Sequence, residues 1–106
     1  MAATRVCSDA ELAPATAMRV VIEGTPIAVV KDSSGAVHAL GDTCTHGEIS
    51  LSEGFVEDDA IECWAHGSKF DLASGAPRNF PAYEPVPVYA VTITDGDIFV
   101  DPTPKP

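Results

Sequence analysis

Apolar residues fall into short runs, each closed by glycine, proline or aspartate. Ala2–Cys7 reads as a first strand. Ser8 or Asp9 then caps a single helical turn through Leu12, and Pro14 ends it. Met18–Glu23 and Pro26–Lys31 are rich in Val and Ile, with Gly24-Thr25 between them, and predict a hairpin. Asp32-Ser33-Ser34-Gly35 is a turn cluster, and Ala36–Leu40 reads as the next strand. The rhythm changes at Gly41. From there to Pro81 only short strand-like pieces appear, at Gly54–Val56, Ala60–Cys63 and Lys69–Leu72. Alternation returns in Pro85–Thr94 and Asp97–Asp101, joined by Asp95-Gly96, a strong two-residue turn. The proline-rich tail from Asp101 has no reason to be ordered. Many short strands with almost no helix predict an all-β chain, an antiparallel β-sandwich. A base is expected from residues 1–40 and 82–106. The segment 41–81 is expected to form a small inserted layer.

Size and composition narrow this picture. At 106 residues the chain is one domain by length, and it can bury roughly two-thirds of its unfolded surface. Sixteen acids against six bases give a formal charge of −10. Such a surface repels nucleic acid and anionic membrane and suits partners with basic docking faces. Three cysteines do not suggest a disulfide framework. Cys7, in the first strand, is expected to be a small buried hydrophobe. There is no signal-peptide core, and no apolar run approaches the roughly 20 residues that cross a bilayer. A soluble, cytoplasmic protein is expected, with thiols kept reduced and open to metal. His38, alone in a strand, is expected to be a packing or surface residue.

The candidate chemistry lies in the irregular segment. Cys44-Thr45-His46-Gly47 is answered by Cys63-Trp64-Ala65-His66-Gly67-Ser68, with sixteen residues between His46 and Cys63. Two thiols and two imidazoles therefore come in pairs from two short loops. Such a set can hold zinc or a 2Fe–2S centre. In a mixed-ligand 2Fe–2S centre, two cysteines hold one iron and two histidines the other. Neutral imidazoles remove two negative charges and raise the reduction potential. Gly47 and Gly67 let the backbone turn tightly at each loop. Zinc would accept the same residues, but its paired ligands are usually two or more residues apart, and a single intervening residue fits poorly. A reading of all four as ordinary core residues must treat two Cys–His pairs, each followed by Gly, as coincidence.

The two loops resemble those of the Rieske iron–sulfur family, and the likeness extends over essentially the whole chain. Length and acidity resemble the small soluble ferredoxins of aromatic-ring-hydroxylating dioxygenases, nearest to the carbazole type. The resemblance implies a Rieske-like sandwich with an inserted cluster-binding subdomain and one 2Fe–2S cluster. Cys44 and Cys63 would hold the inner iron, and His46 and His66 the outer iron near the surface. It implies a monomeric one-electron carrier, not an enzyme, between a flavin-containing ferredoxin reductase and a terminal oxygenase. A Rieske oxygenase would need a second iron on two histidines and a carboxylate, and only His38 is left over. The small subunit of some nitrite reductases shares the fold without a cluster, but the complete ligand set here argues against that branch. Respiratory relatives carry two further cysteines, matched here by Ile49 and Ala65, so their cross-link cannot form. Of two hydroxyls that donate to sulfur in that branch, Ser68 is present and the tyrosine is replaced by Phe70. Fewer donors imply a potential in the lower part of the Rieske range. Trp64 stands where many relatives have proline, and packing is its simplest role. Pro77 and Pro81 match a stiff lid over the cluster. Glu48, Glu53, Glu57, Asp58, Asp59 and Glu62 form an acidic run, with no base until Lys69, that would steer a basic partner.

Overall fold

A computed structural model describes residues 3–43, 49–64, 67–78 and 84–104. Its strands are β1 (Thr4–Ser8), β2 (Thr16–Ile22), β3 (Thr25–Lys31), β4 (Val37–Gly41), β5 (Phe55–Glu57), β6 (Ala60–Glu62), β7 (Lys69–Asp71), β8 (Val88–Thr94) and β9 (Asp97–Pro104). Two single 3₁₀ turns, Asp9–Glu11 and Leu51–Glu53, are the helical pieces among the described residues. The first is capped as its sequence suggests: the Glu11 carboxylate accepts from the Ser8 N–H at 2.8 Å and from the Ser8 hydroxyl at 3.0 Å.

All strand pairs are antiparallel. One sheet runs β1-β9-β8-β4-β3-β2 and the other β5-β6-β7. The larger sheet is thus made from both ends of the described chain. Its halves are joined where Ala39 pairs with Tyr89 and Leu40 with Val88, and the Gly41 N–H donates to the Pro87 carbonyl at 2.8 Å. Cys7, Tyr89, Ile98 and Val100 from one half pack against Ile22, Ile27, Val29 and Ala39 from the other. The sheet therefore folds over this core as a sandwich whose layers meet along one edge. Burial pushes the Cys7 thiol above its ordinary value.

A second core lies behind the first. Ala28, Val30 and Leu40 present their side chains to Leu51, Ile61, Cys63, Phe70, Leu72 and Val86. Successive residues of a strand point to opposite faces, so β3 supplies Ile27 and Val29 to one core and Ala28 and Val30 to the other. This explains its unbroken apolar run, since a strand covered on both faces has no polar side to alternate.

Local departures from expectation have physical causes. In the first hairpin the turn residues are Glu23 and Gly24, both at positive φ (51° and 81°), while Thr25 already pairs with Ile22. Asp95 and Gly96 repeat this turn (52° and 79°). The tail expectation is corrected. β9 continues to Pro104, where Tyr89 pairs with it past a register shift in the ladder. Among the described residues, pairing to β1 stops at Val100, ahead of Pro102 and Pro104, which lack backbone donors. In the 32–35 turn, Asp32 Oδ1 accepts from the Ser34 N–H (2.9 Å), the Ser34 hydroxyl (2.7 Å) and the Ala36 N–H (3.0 Å). Its Oδ2 lies 2.9 Å from His38 Nε2. The His38 contact, followed by the Ser34 bond, holds the Asp32 carboxyl well below the usual range. His38 thus has the structural role expected of it.

Candidate metal centre

The second loop grows out of β6. Alternation turns Ile61 inward, Glu62 outward and Cys63 inward, and both Ile61 and Cys63 are fully buried. Pairing of Glu62 with Lys69 makes residues 63–68 the connection of a β6–β7 hairpin. The Cys63 N–H donates to the Ser68 carbonyl at 2.7 Å, and the Gly67 N–H donates to the Cys63 carbonyl at 3.0 Å. Gly67 is left-handed, at φ 75°, which a side chain would disfavour. Ser68 is fully buried and Phe70 shares the core with Cys63. Cys63 is unbridged, as is Cys7. A buried free thiol at the mouth of a tight hairpin fits a metal-bound thiolate held by an apolar wall.

Cys44, His46 and Gly47 of the first loop, His66 of the second and Pro81 of the expected lid lie outside the described residues. The feet of the first loop are described. Thr43 and Ser50 form an antiparallel bridge, and the Asp42 carbonyl accepts from the Leu51 N–H at 2.6 Å. The Asp42 side chain, 2% exposed, crosses the same gap. Oδ1 accepts from the Ser52 N–H (2.8 Å), and Oδ2 accepts from the Ser50 hydroxyl and from Arg19 Nε (3.1 Å). Sequence reading passed over Asp42. Its signal was an acid two residues before Cys44, with a Ser-x-Ser at 50–52 just past the loop.

The surroundings revise two expectations. Trp64 is 51% exposed, so packing is not its role. It lies in the turn just past β6, and Phe55, opposite Glu62, is likewise exposed at 59%. The acidic run is also partly answered in space. Lys69 Nζ lies 3.0 Å from Glu57 and 3.9 Å from Glu62. The Arg78 guanidinium reaches Asp59 (3.0 Å) and Asp71, and the Arg78 contact lowers the Asp71 carboxyl below its ordinary value. Pro77 bridges to Phe70 and fixes the start of the segment leading to 79–83.

The family model for the Rieske [2Fe–2S] domain matches residues 2–90. The chain belongs to the Rieske [2Fe–2S] domain family. A Rieske domain carries one 2Fe–2S cluster, which settles the choice between zinc and iron–sulfur in favour of the latter. The ferredoxin component of biphenyl 2,3-dioxygenase from Rhodococcus jostii is 38% identical over 101 residues, 95% of this chain and 94% of that protein. The ferredoxin in the complex of reduced oxygenase and oxidised ferredoxin of carbazole 1,9a-dioxygenase is a solved relative. It superposes with a TM-score of 0.91 at 36% identity, over 97% of this Rieske domain and 95% of that chain. The ferredoxin of carbazole 1,9a-dioxygenase from Nocardioides aromaticivorans gives 0.92 at 30% identity, over 97% and 100%. Among the described residues, no helix of this Rieske domain is long and apolar enough to cross a membrane.

Proposed function

We propose that this Rieske domain is the ferredoxin component of an aromatic-ring dioxygenase system, taking single electrons from a flavin-containing reductase to a terminal oxygenase. The observation that carries this reading is the nearly full-length match to proteins named as ferredoxin components. Base (1–40 and 82–106) and inserted layer (41–81) act as one domain, a monomer in the cytoplasm. Cys44 and Cys63 would hold one iron, and His46 and His66 the other. The bound cluster supplies one reversible electron; oxygen chemistry is left to the partner.

The chain's own residues prepare that role. The core around Cys63 excludes water from one side of the centre, and Gly67 lets the second loop turn back on itself. Gly47 would do the same in the first loop, and Pro81 would stiffen the lid. Ser68 keeps a hydroxyl donor beside the loop, whereas Phe70 lacks one. A midpoint potential below about +150 mV is expected, in the lower part of a range of about −150 to +300 mV. A higher value overturns the reading of Phe70. The exposed Trp64 and Phe55 and the acids Glu53, Glu57 and Glu62 would serve docking to a basic partner. Reduction by the partner should slow markedly with added salt, and a salt-independent rate would remove the steering argument. The function itself is tested by low-temperature EPR of the reduced protein. A rhombic Rieske signal is required, and silence with stoichiometric zinc overturns it.

A further inference from the structure

We propose that Asp42 is the positioning residue of the first cluster loop. Its carboxylate ties both feet of segment 44–48 together and sets how that segment presents Cys44 and His46. The proposal rests on those two residues being cluster ligands. Asp42 directly follows β4, with only Thr43 between it and Cys44. On the far side, Ser50 and Ser52 both bond to its carboxylate, and the Leu51 N–H bonds to its carbonyl. Three successive residues after the loop are thus fastened to one residue before it. A carboxylate so nearly buried is costly unless its lone pairs are filled. Here the filling groups are the loop's own feet, together with Arg19 from β2.

The arrangement has an electrical side. Asp42 places a negative charge at the root of the loop, and Arg19, whose side chain is 53% exposed, balances it from the surface. A negative charge beside a redox centre disfavours the reduced state and a positive one favours it. Removing either partner should therefore move the midpoint potential, in opposite directions. A brace that served folding alone would move the melting temperature and leave the potential in place.

The test uses the full-length chain with its cluster. D42N should raise the reduction equilibrium constant by about tenfold, 59 mV upward for one electron. It should also hasten iron loss to a chelator by about tenfold, as expected when a partner behind the ligands is removed. R19M should shift the midpoint downward. Wild-type midpoints and iron-loss rates in both variants overturn the proposal. If D42N does not fold, R19M and S50A carry the test: R19M must lower the midpoint and S50A must speed iron loss, and wild-type values in both overturn it. A wild-type protein that takes up no Rieske cluster overturns the functional reading instead, so the two failures are distinct.

Discussion

The two sheets solve different problems with different means. The large sheet has strands of five to eight residues with apolar positions facing a shared interior. Hydrophobic burial can stabilise it without any single decisive contact. The small sheet has three strands of three residues each, too short to stand alone. It leans on the back of β3 and β4, where Ile61, Phe70 and Leu72 meet Ala28, Val30 and Leu40. Few, specific groups fix the two candidate ligand loops: the Asp42 carboxylate ties the ends of the one between β4 and the Leu51–Glu53 turn, and the Cys63–Ser68 bond closes the one between β6 and β7. Folding energy and site precision thus come from separate residues, and mutations can pull them apart.

The largest separation is expected from Cys63→Ser. The oxygen ligand should abolish the visible iron–sulfur absorption while the far-ultraviolet β-sheet signal stays close to wild type. Collapse of both signals would show that the large sheet depends on the centre. Phe70→Ala removes a fully buried ring from the wall between the sheets. It should cost about 3–5 kcal/mol in denaturant unfolding. A loss under about 1 kcal/mol would mean that the small layer hardly contributes to the core. Asp32→Asn probes a polar anchor of the large sheet far from the ligand motifs in sequence and should cost about 2 kcal/mol with no change in midpoint potential. Its pH dependence has a defined sign. The folded Asp32 carboxyl lies below its ordinary value. Its contribution is therefore complete above the unfolded pKa of about 4 and declines as pH falls toward the folded value. Urea midpoints measured from pH 6 down to acid should fall less steeply in the Asn variant.

Legibility in the sequence followed the same division. Alternation and turn chemistry marked every strand of the large sheet within a few residues. The pattern erred where pairing, not composition, decided the outcome. Thr25 joined β3 because Ile22 stands opposite it, and the tail joined β9 because Tyr89 pairs with Pro104 past a register shift. At the site, residue type and spacing singled out four candidate ligands, since few side chains bind iron; of these, Cys63 lies among the described residues. Asp42 was missed because an acid before a loop looks like any solvated acid until its burial is seen. Trp64 was misread because a large aromatic beside a buried cysteine suggests packing, whereas it stands in the turn after β6 and is half exposed.

Trp64 is the only tryptophan in the chain, and it is half in water, one residue from Cys63. All indole fluorescence of the protein therefore originates at the edge of the centre. Energy transfer to an iron–sulfur chromophore would darken that emission as iron enters. Burial of the ring under a docked protein would shift it toward the blue. The chain carries its own optical gauge of cluster loading and of partner engagement, and neither needs a label.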